Sequence, residues 1–174
     1  MKNSKLLTSL GFALIMLFTV QMNAQKFPGL DKSPMDLASF PGKGDKVVKV
    51  YYSRPQLKGR SLSELTPNGK VWRTGANEAT EITFYKDVTV GGKPVKAGTY
   101  VLATIPGEKE WTIIINSNTD TWGAYSYDES KDVARVTVPV SSDKEALEAF
   151  SIAFDDNGTM YLGWDTLRVA VPIK

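Results

Sequence analysis

The chain has 174 residues, 42% of them hydrophobic and 23% charged, which is enough apolar material for one core-bearing domain and too little for several. It contains no histidine and no cysteine. That excludes serine–histidine and cysteine–histidine nucleophile pairs, zinc sites built on nitrogen and sulfur, and the usual haem and iron–sulfur ligands. The formal net charge of +2 rests on Lys2 and Lys5: without the first 24 residues the 21 basic side chains fall by these two and equal the 19 acidic ones. A neutral chain gives no support to non-specific nucleic-acid binding.

Met1 to Ala24 reads as a secretory signal peptide. Lys2 and Lys5 precede an apolar stretch from Leu6 to Val20, and Met22-Asn23-Ala24 ends on a small residue, so cleavage is expected between Ala24 and Gln25. The apolar run of about 15 residues is shorter than the roughly 20 that a membrane-spanning helix needs. With no cysteine there is no lipid-modified cysteine either. The expected product is exported, periplasmic or extracellular, without stable membrane insertion, and it is held together by a hydrophobic core alone.

Gln25 to Lys46 is rich in proline and glycine and is expected to form an extended N-terminal arm. Ser33-Pro34-Met35-Asp36 is predicted to start one helical turn, and Phe27, Leu30, Met35 and Phe40 are expected to pin the arm to the body. From Val47 to the C-terminus the hydrophobic period is two. Val48, Val50 and Tyr52 share one strand face, and Arg54-Pro55 stops that strand. Leu57 to Gly69 reads as a loop, Val71-Trp72-Arg73 as a short strand, and Thr80, Ile82 and Phe84 as the buried face of the next strand.

Val90-Gly91-Gly92-Lys93 allows a two-residue turn that sets Val88 opposite Val95. Thr99–Ile105 and Trp111–Ile115 are apolar on both faces, as central strands are. Trp122 to Tyr127 is either a strand or a structured loop. Ala134, Val136, Val138 and Val140 point inward, and Ser142-Asp143-Lys144-Glu145 has the spacing of a helical capping box. A three-residue loop, Asp156-Asn157-Gly158, pairs Phe154 with Met160, Ile152 with Leu162 and Phe150 with Trp164, keeping one apolar face. Leu167, Val169, Val171 and Ile173 close the chain. The expected fold is all-β: an antiparallel β-sandwich of about eight to ten short strands over residues 47–174, with a closed barrel as the alternative.

Tyr51 to Thr80 concentrates the polar chemistry. Arg54, Lys58, Arg60, Arg73, Asn77 and Glu78 are interleaved with Tyr51, Tyr52 and Trp72. Forked guanidinium groups hold anionic or sugar-like ligands, but they also lock irregular loops, and the second reading is favoured for Arg73 and Glu78. Trp72, Trp111, Trp122 and Trp164 are each expected in the core. Of the four, Trp122, with Tyr125 and Tyr127 in a polar stretch, is the best candidate for an exposed stacking surface. Carboxylate chemistry survives the exclusions, with Glu78, Glu81 and Asp165 near aromatic residues. Asp155-Asp156-Asn157-Gly158 lacks the ligand spacing of a calcium loop and reads as a turn. No phosphate-binding glycine loop is present, and neither a cofactor nor a metal is expected.

Tyr52-Ser53-Arg54-Pro55, Lys58-Gly59-Arg60, Val71-Trp72-Arg73-Thr74-Gly75-Ala76-Asn77-Glu78-Ala79-Thr80, Ala97-Gly98-Thr99-Tyr100 and Ile105-Pro106-Gly107 with Trp111 resemble the signature of the domain-of-unknown-function family 2911, from about Ser33 to the C-terminus. The resemblance implies an exported, strand-rich bacterial envelope protein and implies no activity. Asn68 departs from the pattern, standing where an aromatic residue is expected before the last glycine of its loop. The residues favour a non-catalytic protein that binds a polar molecule, a glycan or an envelope partner through Tyr51–Thr80. The alternatives are a carboxylate-based glycan hydrolase and a structural or assembly protein of the envelope.

Overall fold

A computed structural model describes residues 25–174, so the expected signal peptide lies outside the described residues. The chain divides after Leu30. Residues 25–30 form no regular element, and Phe27 and Leu30 are exposed rather than anchoring. Every described strand lies in Asp31–Lys174. They are β1 (Met35–Phe40), β2 (Val48–Ser53), β3 (Glu81–Phe84), β4 (Val88–Val90), β5 (Lys93–Val95), β6 (Gly98–Ile105), β7 (Glu110–Asn116), β8 (Asp132–Phe154) and β9 (Thr159–Pro172). Among the described residues, helix is confined to the single turn α1 (Leu62–Leu65) and a 3-10 turn at Glu129–Lys131.

The all-β class holds. Seven strands form one antiparallel sheet in the order β1-β2-β3-β6-β7-β8-β9, curled into a half-barrel, and β4-β5 form a separate ribbon. The curl brings β2 over β8, so two layers face each other although they belong to one sheet. The Tyr52 hydroxyl donates to the Ile152 carbonyl at 3.3 Å and accepts from its N–H at 3.0 Å. Between the layers lies the core, with Val48, Val50, Ile82, Phe84, Leu102, Ile113, Met160, Leu162 and Val169 almost fully buried. β6 and β7 occupy the middle of the sheet, and their second faces also bury side chains: Val101, Ala103 and Ile114 pack with Ala79 under the loop that carries Tyr127. This is what their two-sided apolar sequence anticipated.

Bulges in β8 allow the curl. From Ser142 to Leu147 β8 advances five residues while β9 advances two, from Leu167 to Asp165. Such excess residues bend a strand and increase its twist. The first half of β8 therefore pairs with β7 and the second half with β9. Arg168 holds the bulge, giving Nη2 to the Glu145 carbonyl at 2.6 Å and Nη1 to the carbonyls of Asp165 and Leu167, each at 2.9 Å. Ser142–Glu145 is thus strand and bulge, not the helical turn its spacing suggested. The same spacing at Ser61–Glu64, expected as loop, does start a helix: the Glu64 carboxylate accepts the Ser61 N–H at 2.7 Å and opens α1.

The N-terminal arm also differs from expectation. Met35–Phe40 is not a helical turn but the edge strand β1, paired with β2 from Met35↔Ser53 to Phe40↔Val48. Ladder bonds to β2 outweigh one turn of helix, whose nucleation is unfavourable in isolation. Phe40 stacks on Phe154 at 6.3 Å, while Met35 is exposed. Val71-Trp72-Arg73 contributes only the isolated bridge Trp72↔Thr104. The hairpin registers are as expected for Val88↔Val95, Ile152↔Leu162 and Phe154↔Met160, with Gly158 left-handed at φ 82°. Phe150 and Trp164 meet edge to face at 5.9 Å beyond a register shift rather than as ladder partners.

Candidate functional site

The loop from Trp72 to Thr80 is held to β6 at both ends. Trp72 and Thr104 exchange backbone hydrogen bonds at 2.7 and 2.9 Å, and the Leu102 N–H donates to the Thr80 carbonyl at 2.8 Å. Between these anchors Thr74 and Asn77 adopt φ of 57° and 60°. For a β-branched threonine that conformation is strained, and it persists only where its surroundings enforce it. Here the Thr80 hydroxyl donates to the Thr74 carbonyl at 2.7 Å, and the Thr74 hydroxyl donates to that of Thr104 at 3.1 Å. Gly75 is required for a different reason. A Cβ there would stand 2.9 Å from the Ser53 carbonyl oxygen, so only glycine lets the loop lie against β2.

This loop forms one wall of a cleft of about 620 Å3. Arg60, Leu65 and Pro67 come from the α1 region, Trp72, Arg73, Ala76 and Asn77 from the strained loop, Ala124 and Tyr125 from the loop after β7, and Trp164 from β9. Its floor is an aromatic cluster. Trp72 stacks on Trp164 at 5.9 Å and meets Phe150 and Trp111 edge-on at 5.2 and 6.0 Å. Tyr125, 86% exposed, stands at the rim. The Arg73 guanidinium runs beneath Gly123, its Nη1 3.6 Å from where a Cβ would be, and its Nε is buried without a hydrogen-bond partner. Arg60 gives Nε to the Leu57 carbonyl at 3.0 Å and Nη2 to that of Gln56 at 2.9 Å. Asn77 donates to Asp31 at 3.0 Å, which, after the Ser33 N–H, helps to hold that carboxyl below its ordinary pKa.

The remaining residues singled out in the sequence fall elsewhere. Arg54 is a clamp: Nε donates to the Phe150 carbonyl at 3.0 Å, Nη1 to Asp36 at 2.9 Å and Nη2 to the Ser151 hydroxyl at 2.7 Å, tying β1 and β2 to β8. Lys58 sits in a left-handed turn whose N–H donates to Glu148 at 2.8 Å, and it does not line the cleft. Glu78 forms no ion pair with Arg73. It bridges to Trp122 and lines a smaller cleft of about 300 Å3 with Glu81, Asp120 and Trp122. Asp165 is absent from that cleft, and Asp120 takes its place. These carboxylates do not converge into a set that could hold a metal ion. Trp72, Trp111 and Trp164 are buried as expected, whereas Trp122 is 61% exposed, against its expected place in the core. Trp164 had been read as core alone; nothing in the local sequence says that its ring also faces the cleft.

A family model described as Protein of unknown function (DUF2911) matches residues 33–173. The chain belongs to this family. The DUF2911 match spans every residue that lines the larger cleft, from Ser33 to Trp164. The string Trp72–Thr80, most specific in the sequence, is the strained loop described above. Asn68 is exposed and outside the cleft. No curated protein and no solved structure matches the chain.

Proposed function

We propose that this protein is exported and binds, without turning it over, a small polar molecule of the cell envelope, with glycans as the leading class. The observation that carries the reading is Arg73 in the wall of an aromatic-floored cleft, with a buried Nε that no group among the described residues accepts from. A buried donor left unpaired costs about 1 to 3 kcal/mol. The strained loop that presents it adds a further cost, and such costs gather at functional sites. Aromatic faces beside guanidinium donors suit a sugar ring, whose C–H face packs on a ring while its hydroxyls take hydrogen bonds. The volume falls within the roughly 300 to 1,000 Å3 of small-molecule sites.

The test is a thermal-shift screen of the purified protein against envelope and dietary glycans. A ligand at a hundred times its Kd adds about 2.7 kcal/mol to the folded state, a readily measured rise in Tm. Arg60→Ala and Tyr125→Ala should remove the rise while leaving the unliganded Tm within a few degrees of wild type. A rise that both variants retain would place binding elsewhere. N-terminal sequencing of the product released by the native host tests export, with Gln25 as the expected first residue.

A second reading rests on the smaller cleft. Glu78, Glu81 and Asp120 line one cleft with the exposed Trp122, and a carboxylate glycosidase needs two such acids about 5 to 10 Å apart. Hydrolysis by purified protein that Glu78→Gln or Glu81→Gln eliminates would establish it.

A further inference from the structure

We infer that the ligand of the larger cleft is an acid, a carbohydrate bearing a compact oxyanion such as a carboxylate or sulfate. This rests on the binding reading above and narrows it. The chain has five arginines. Arg54, Arg135 and Arg168 each stand within ion-pair distance of an aspartate. The other two, Arg60 and Arg73, form no ion pair among the described residues, and they are the two that line the cleft.

Nothing lining the cleft balances them. Its walls contain no aspartate or glutamate. The hydrogen-bond partners of Arg60 are neutral carbonyls. Glu64, whose carboxyl Arg60 helps to hold below its ordinary pKa, is drawn down first by the Ser61 hydroxyl and N–H, to which it is bonded at 2.7 Å. The neighbouring clefts carry the opposite charge, with Glu78, Glu81 and Asp120 around one and Asp31 and Glu78 around the other. Charge is therefore sorted along this surface, with Asn77 and Glu78 at the boundary.

Two positive side chains line this one cleft, and a bound anion is attracted to both. Guanidinium is also the side chain whose fork matches carboxylate and other oxyanions through paired, charge-assisted hydrogen bonds. A neutral glycan would leave both charges uncompensated, so the site favours an acidic sugar over its uncharged analogue.

Isothermal titration of the purified protein tests this with three ligands of one chain length: a uronate oligosaccharide, its neutral counterpart and a sulfated counterpart. The expected result is that one of the acidic ligands binds at least about tenfold tighter than the neutral one, a difference of about 1.4 kcal/mol. The preference should shrink on raising salt and vanish in Arg60→Gln, whose fold is checked by circular dichroism. The arm that binds identifies the oxyanion. Equal affinity for neutral and acidic sugars would overturn the acid inference and leave the glycan reading standing. Binding of none of the three would overturn both.

Discussion

The five arginines do different work, and substitution should separate them. Arg54 spends its guanidinium on three protein acceptors joining β1, β2 and β8. Arg54→Ala is therefore expected to lower stability by roughly 2 to 4 kcal/mol in urea unfolding, since hydrogen bonds to charged groups are individually strong and a carbonyl is left unpaired. Arg60→Ala should change stability by less than about 1 kcal/mol, because its partners lie within its own loop and stay accessible to water. Sequence placed both in one ligand-binding group. It could not separate them, because what distinguishes them is Ser151 and Phe150, nearly a hundred positions along the chain. The polar stretch around Trp122 and Tyr125 is the local signal of their exposure, and for Trp122 it outweighs the tryptophan's general preference for the core.

Elements were legible where the chain itself fixes the geometry. The Gly91-Gly92 and Asp156–Gly158 turns imposed hairpin registers that could be derived from parity alone. Capping spacing failed as a guide, because Ser61–Glu64 and Ser142–Glu145 share it and only the first lies outside a ladder. The Asp155 turn gives an acid-sensitivity prediction. Its carboxylate accepts from the N–H groups of Thr159 at 2.8 Å and Asn157 at 2.9 Å, and the Thr159 bond is the main cause that holds its pKa below the ordinary value. A depressed carboxyl contributes stability that is present above the unfolded-state pKa of about 3.9 and is lost as pH falls through the folded value. Unfolding followed by tryptophan fluorescence between pH 5 and 2 should show a smaller acid-induced loss for Asp155→Asn than for wild type. Gly158→Ala should be harmful at any pH. Its φ is 82°, and a Cβ would stand 2.9 Å from the Ile173 carbonyl oxygen, so a loss of at least about 1 kcal/mol is expected.

For the whole molecule, an all-β fold followed from alternation and turns, but the curl did not. It depends on β8 changing partner at its bulges, and a count of extra residues becomes visible only when β9 is laid beside them. The same curl sets β9 and the α1 region beside the Trp72–Thr80 loop, so the cleft is a product of sheet curvature and no local motif could announce it. Arg168→Ala, which frees three carbonyls around the first bulge, should therefore weaken ligand binding as well as stability, although Arg168 does not line the cleft. The most direct measurement of the central claim is a two-dimensional NMR titration of the labelled protein with a glycan that raises its Tm, following backbone, arginine Nε–H and tryptophan indole signals. The account predicts shifts concentrated at Arg60, Trp72 to Asn77, Tyr125 and Trp164, with the unpartnered Arg73 Nε–H among the largest. Shifts centred instead on Glu78, Glu81, Asp120 and Trp122, with the arginine signals unmoved, would contradict it.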